Sequence, residues 1–209
     1  NHDASIYPAY AHERAVFDEV WRPRKPRLDY IDAGGYPFRF AFSMGGVTLV
    51  SLDATGVGAL PDEQMNWLDG ILAPTAPADP VVLFSHIPPL PFAQGRETEI
   101  IGDPALLRML ETRGVDLYLS GHHHAYYPGV KDGVLYIGQS CLGGGPRALI
   151  GDDRTSPKSF TMVEIAETGE VHEYALASPD FRQPIPLAAL PPAIGSGDAR
   201  MVRHDLAPR

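Results

Sequence analysis

The chain has 209 residues, a formal net charge of −9, and 44% hydrophobic residues. This length suits one domain or most of one, and the acidic balance argues against nucleic acid as the main partner, because such proteins carry a basic footprint. No run of about 18 apolar residues is present, so no transmembrane helix is expected. The single cysteine, Cys141, excludes an intrachain disulfide.

The first third of the sequence predicts two helices and a hairpin. Apolar residues on one face predict a short helix over residues 11–20. Aromatic residues alternate over 38–42, and an apolar segment at 47–52 follows a Gly-Gly turn, which predicts a hairpin. Residues 61–73 begin with Pro61 and acidic residues and continue at helical spacing, which predicts an amphipathic helix.

The middle of the sequence predicts central strands separated by a helix. The continuous apolar run at 81–84 suits a strand that is buried on both faces. A helix should begin at Asp103-Pro104 and end at Gly114. Further strands are expected at 115–119 and 134–137, and a hairpin is expected over 159–176.

This alternation of strands and helices, followed by hairpins, predicts a mixed α/β sandwich with functional groups at strand ends. We assign residues 1–178 to a domain. Residues 179–209, which hold six prolines, are assigned to a Pro-rich tail that wraps or trails.

Five of the eight histidines fall in three short motifs. In chain order these are Asn1-His2-Asp3, Ser85-His86 and Gly121-His122-His123-His124. Neutral imidazoles and an amide oxygen are ligands that Zn, Mn or Fe accepts. His86 and His122 each follow a predicted central strand, so they emerge at one sheet edge if those strands are neighbours. His124 should point to the same side as His122, and His123 away from it.

These motifs resemble those of the calcineurin-like metallophosphoesterases. The first resembles the end of the family's Gly-Asn-His-Asp/Glu motif, the second its middle histidine, and the third its Gly-His-x-His motif. The hairpin around Phe40 and the loop Gly143-Gly144-Gly145 resemble the purple-acid-phosphatase-like branch. The resemblance covers about residues 1–176. It implies a two-sheet α/β/β/α sandwich whose amino-terminal half is missing from this chain.

The resemblance also implies a reaction and a site. The reaction is hydrolysis of a phosphomonoester or phosphodiester by a hydroxide that two metal ions (Mn, Fe or Zn) activate. The implied ligands are Asn1, His86 and His122 for one ion and His124 for the other. His2 would act as general acid or transition-state stabiliser, and Asp3 would steer it.

The family's Asp-x-His and Gly-Asp-x-x-Asp motifs would precede Asn1, so we expect Asn1 to be an interior position of a longer polypeptide. The missing amino-terminal half would be needed to complete the site. Two neighbouring cations repel each other strongly without an anionic bridge. We therefore expect this chain alone to bind at most one ion, weakly. We also expect the strand at 81–86 to lack neighbours and expose its edges. The sequence favours neither a secreted or periplasmic location nor a cytoplasmic one.

Two other functions fit the same residues. One is an inactive fragment or degenerate module that binds one metal or a protein partner. The other is a metal-dependent hydrolase of non-phosphate esters or amides. His12, His172 and His204 are expected to be surface or structural residues, and the alternation of His172 with Tyr174 suggests that this strand face is packed.

Overall fold

The computed structural model describes residues 1–73, 79–166 and 168–207. Within these ranges the α-helices are α1 (Ala11–Trp21), α2 (Asp62–Leu72) and α3 (Pro104–Thr112). The strands are β1 (Asp29–Gly35), β2 (Arg39–Met44), β3 (Val47–Ser51), β4 (Val81–Ser85), β5 (Leu117–Ser120), β6 (Tyr127–Lys131), β7 (Val134–Gly138), β8 (Ser159–Ile165), β9 (Val171–Ala177), β10 (Gln183–Pro184), β11 (Ala193–Ile194) and β12 (Met201–Arg203). Short 3₁₀ helices lie at Pro8–Tyr10, Arg22–Arg24, Leu187–Ala189, Gly197–Ala199 and His204–Leu206.

The strands form two sheets. The larger sheet has nine strands in the order β1-β2-β3-β4-β5-β7-β6-β12-β11, and the smaller has three in the order β10-β9-β8. Strands β3, β4, β5 and β7 run parallel, so their carboxyl ends share one edge. The two sheets and the helices confirm the predicted two-sheet α/β sandwich.

The two helices between the parallel strands form for local reasons. Helix α2 carries Asp62 and Glu63 in its first turn, where acidic side chains oppose the positive end of the helix dipole. Helix α3 begins with Asp103, whose side chain accepts a 2.8 Å hydrogen bond from the Ala105 N–H. Gly114 follows this helix with a φ of +67°, the left-handed conformation that ends many helices.

Strand β4 lies at the centre of the larger sheet. It pairs with β3 on one side and with β5 on the other. Its residues Val81, Val82 and Leu83 are almost fully buried. The expectation that the strand at 81–86 exposes its edges is therefore wrong, because the hairpin strand β3 supplies the missing neighbour.

The tail contributes to both sheets. Strand β12 pairs with β6 and with β11, and β10 pairs with β9. The division at residue 178 stays a prediction, and residues 208 and 209 lie outside the described ranges.

On β9 the prediction of a packed His172 and Tyr174 is wrong, because both are exposed while the alternating residues Glu173 and Ala175 are buried. No described helix is long and apolar enough to cross a membrane.

Candidate metal centre

The parallel strands β4 and β5 bring two of the predicted ligands together. His86 directly follows β4, and His122 follows β5 after one glycine. The Gly121 N–H donates a 3.1 Å hydrogen bond to the His86 carbonyl. The rings of His86 and His122 lie 5.2 Å apart and nearly perpendicular, at 72°. A side chain at Gly121 would crowd this contact, since its Cβ would lie 3.4 Å from His86 Nδ1.

Asn1 completes this group from another part of the chain. Its Oδ1 lies 2.6 Å from His86 Nε2. The segment that carries Asn1 is fastened at the Ala4 carbonyl, which accepts hydrogen bonds from Arg14 Nη1 at 2.6 Å and Thr55 Oγ1 at 2.8 Å. Arg14 also makes a two-pronged ion pair with Asp53, just after β3. The amino-terminal motif is therefore tied to the same sheet edge.

His124 lies in the same loop but has a different partner. Its Nδ1 lies 3.0 Å from the Gly145 carbonyl, and because a carbonyl only accepts, Nδ1 carries the proton and Nε2 keeps its lone pair. A Cβ at Gly144 would lie 2.8 Å from His124 Cε1, so the triple-glycine loop approaches the ring as closely as a glycine allows. His122 and His124 have φ values of +61° and +53°, a left-handed backbone that is uncommon outside glycine and concentrates at functional sites.

Burial sets the charge of these rings. It lowers the pKa of His86 to about 3 and is the largest cause of the lowered pKa of His122, which the hydrogen bond to Glu99 partly opposes. Both imidazoles are therefore neutral near pH 7, the form that binds metals.

The donor set suits one ion. Asn1 Oδ1 and His86 Nε2 lie 2.6 Å apart, so both donor atoms would face the same ion. The nitrogens of His86 and His122 and the amide oxygen of Asn1 form a neutral donor set of the kind that a borderline cation accepts. Across residues 1–73, 79–166 and 168–207, no three His, Cys, Asp or Glu side chains are grouped to hold a metal ion.

Two residues near the site were not predicted. Glu99, in the loop after β4, has Oε2 2.8 Å from His122 Nε2 and also pairs with Arg96. The hydrogen bond from Arg96 is the main reason that the pKa of Glu99 is lowered. Arg147 donates to the His122 carbonyl at 3.2 Å, and its N–H donates to the His124 carbonyl at 3.1 Å. Neither position carries a sequence signal, because both lie in loops without periodicity.

His123 points away from this group, into the protein. It is fully buried, its Nδ1 accepts from the Phe92 N–H at 3.1 Å, and its Nε2 lies 3.0 Å from the Glu99 carbonyl.

The two residues predicted to be catalytic, His2 and Asp3, are exposed, and no hydrogen bond joins them in the part of the chain that the structure describes. They border a surface cavity of about 500 Å³ whose other wall is helix α1. This helix buries none of its residues, and Val16, Val20 and Trp21 remain more than 40% exposed.

Comparisons with known proteins identify related chains. The family model described as "Calcineurin-like phosphoesterase" matches residues 1–126, which span the three motifs. The chain is 26% identical over 148 residues to "Serine/threonine-protein phosphatase CPPED1" of Danio rerio, covering 65% of this chain and 46% of that protein. The chain therefore spans about half the length of this curated relative.

Among solved structures, the purple acid phosphatase PPD1 of yellow lupin (Lupinus luteus) seeds matches with a TM-score of 0.55 and 15% identity, over 70% of this chain and 32% of that one. GAP50, the anchor in the inner membrane complex of Plasmodium, matches with a TM-score of 0.51 and 15% identity, over 67% of this chain and 49% of that one. At this identity the likeness concerns the fold.

Proposed function

Because this chain belongs to the calcineurin-like phosphoesterase family, we propose that it forms part of a metal-dependent phosphoester hydrolase. The observation that carries the proposal is the convergence of Asn1, His86 and His122 at the carboxyl ends of β4 and β5, with 2.6 Å between the first two side chains. Ligands bind at this edge in open sheets with parallel strands.

In this proposal Asn1, His86 and His122 hold one ion, and His124 presents Nε2 to a second. When bound, such ions polarise a phosphoryl oxygen and lower the pKa of a water molecule. The neutral rings leave the site open to an anionic bridge from a segment preceding Asn1. The second ion and the preceding segment are both part of the proposal, together with the boundary between domain and tail at residue 178.

The surroundings suit an anionic substrate. Arg147 places a cation beside the His122 loop of a chain with net charge −9, whereas the charge of Arg96 is compensated by Glu99. We assign to His2, when protonated, the donation of a proton to the leaving oxygen, with Asp3 orienting the ring in the complex. Both side chains are exposed beside the cavity along α1, where a leaving group has room.

The test is hydrolysis of para-nitrophenyl phosphate and its bis-ester with added Mn²⁺. It compares this chain with a polypeptide extended upstream to include the two preceding motifs. In the active form His122→Ala should reduce turnover by about 100-fold or more. The control His172→Ala changes an exposed histidine on β9 and should leave turnover unchanged.

Activity in the extended polypeptide alone would support both the phosphoester hydrolysis and the need for a preceding segment. Activity in both would show that this chain needs no preceding ligands, and our account of them would be wrong. Equal losses in the two histidine variants would rule out a specific role for His122.

A second candidate is a module that binds one ion or a protein partner without turnover. Its support is that no three His, Cys, Asp or Glu side chains of the described ranges are grouped to hold a metal ion. The name of GAP50 describes an anchor, and that protein shares the fold. Binding of a single Mn²⁺ without hydrolysis by either polypeptide would favour this function. For the third function, hydrolysis of non-phosphate esters or amides, inhibition by phosphate, vanadate or tungstate would be contrary evidence.

A further inference from the structure

Glu99 contacts a predicted metal ligand through its side chain. Its Oε2 lies 2.8 Å from His122 Nε2, and Arg96, three residues earlier, donates to the same oxygen. The Glu99 side chain is 32% exposed, as is that of Arg96. The carboxylate is therefore at the surface, but two partners from different loops hold it in place.

The backbone of Glu99 is fixed as well. Its N–H donates to the Arg96 carbonyl at 2.9 Å. Its carbonyl lies 3.0 Å from Nε2 of the buried His123, whose Nδ1 already accepts from the Phe92 N–H. Nε2 of His123 must therefore be the protonated nitrogen, and it donates to Glu99. Consecutive histidines thus hold the side chain and the carbonyl of one residue.

This contact decides which nitrogen of His122 carries the proton. An ionised carboxylate only accepts, so Nε2 must donate and Nδ1 keeps its lone pair. Among the described residues, the hydrogen bond of the His122 ring is the one between its Nε2 and Glu99, and none involves its Nδ1. In metal sites a carboxylate on the far nitrogen commonly fixes the tautomer and orientation of the ligating ring.

We propose that Glu99 is a positioning residue that holds His122 as the Nε2–H tautomer and so presents its Nδ1 lone pair to a cation. The use of that lone pair rests on the proposed function, but the tautomer does not. The competing interpretation is a surface ion pair between Glu99 and Arg96 that touches His122 incidentally. Surface ion pairs contribute little to folding stability, and loss of this one would leave the tautomer of the His122 ring unchanged.

The test is ¹⁵N NMR of the histidine rings in the metal-free chain at pH 8, where His122, whose pKa is lowered mainly by burial, is neutral. The signals of His122 are assigned by their absence in His122→Gln. We expect the wild-type ring to show a protonated Nε2 and an unprotonated Nδ1. Glu99→Ala should shift the ring to a mixture of tautomers, and Glu97→Ala, an exposed neighbour in the same loop, should not.

Glu99→Gln supplies a milder variant, because its amide oxygen can still accept from Nε2–H; it should retain most of the wild-type tautomer. Thermal unfolding tests whether each variant is folded. If Glu99→Ala does not fold, the tautomers of Glu99→Gln and Arg96→Ala decide between the two interpretations. Arg96→Ala releases one restraint on the carboxylate and should produce a smaller shift than Glu99→Ala.

A second readout is the affinity for Zn²⁺ by calorimetry, which should fall by about 10- to 100-fold in Glu99→Ala and stay unchanged in Glu97→Ala. The proposal would be overturned if His122 is protonated on Nδ1 in the wild type. It would also be overturned if the tautomer of His122 is unchanged in Glu99→Ala. Failure of the proposed function would look different, because the NMR result requires neither bound metal nor turnover.

Discussion

Replacing the buried Glu173 by glutamine should stabilise the protein at neutral pH and leave it unchanged in acid. The side chain of Glu173 is fully buried, and its Oε2 accepts from the Tyr126 hydroxyl at 2.7 Å. Its Oε1 has no hydrogen-bond partner among the described residues and lies 3.4 Å from His204 Nε2, which also lacks one. An ionised carboxylate is therefore poorly compensated here.

The magnitude follows from this environment. Burial raises the pKa of Glu173 from its ordinary value of 4.5 to about 6. The charged form is thus disfavoured in the fold by about 2 kcal/mol. Because the folded pKa is the higher one, this cost is fully present above about pH 6 and disappears as the pH falls toward 4.5.

The assay is urea denaturation of wild type and Glu173→Gln between pH 4.5 and pH 8. The variant should be about 2 kcal/mol more stable at pH 8 and nearly equal at pH 4.5, since Tyr126 can still donate to the amide oxygen. Burial lowers the pKa of His204, so its ring is neutral in both proteins at pH 8, where the difference is largest. The control Glu170→Gln changes an exposed carboxylate on the same hairpin and should show no such pH dependence.

A difference that is independent of pH would refute the burial argument. A variant that is less stable at pH 8 than wild type would mean that His204 stabilises the ionised carboxylate.

Further predictions concern the site and its supports. Calorimetric titration of this chain with Mn²⁺ should give one weak site; two tight sites would contradict the expected need for an anionic bridge. Arg14→Met should cost about 1–2 kcal/mol in urea denaturation, because it removes charged hydrogen bonds in a half-buried position. Arg22→Met, which removes an exposed i,i+4 ion pair, should cost about 0.3–0.5 kcal/mol. Equal costs in the two variants would show that the contacts of Arg14 stabilise the fold no more than a surface ion pair does. Gly144→Ala should displace the ring of His124 and shift its NMR signals, whereas Gly143→Ala, whose Cβ would meet nothing within 4 Å, should not.

Much of the fold was predictable because periodicity reports burial directly. Helices α1, α2 and α3 and the central strands β4 and β5 carry clear signals, and the structure has them within a few residues of the predicted bounds. Strand β6 was missed because Pro128 and Gly129 argue against a strand. The structure accommodates both residues. Strand β12 pairs only with residues 129 and 130 of β6, so the pairing does not require an N–H group at Pro128. Glycine at position 129 leaves room for β12, because a Cβ there would lie 2.8 Å from Met201.

The candidate site was predictable only where a motif names its residues. The structure brings Asn1, His86 and His122 together, and their roles as ligands stay a prediction. The contact between His122 and Glu99 could not be predicted, since it depends on how two loops meet after different strands. The burial of Glu173 was missed for a related reason, because the alternating pattern of β9 does not reveal which face of the strand points inward. A glutamate is also rarely buried, so its residue type does not predict burial.

The position of β12 in the larger sheet also constrains how the protein is made. Strand β6 ends at residue 131 and its outer neighbour begins at residue 201, which is 70 residues later. A ribosome that adds about 5–20 residues per second needs about 4–14 s to cover that interval. During this time the strands that carry His86 and His122 can pair, while β6 presents an unpaired edge to other nascent chains. Slower translation would lengthen that exposure without changing a single contact of the finished protein.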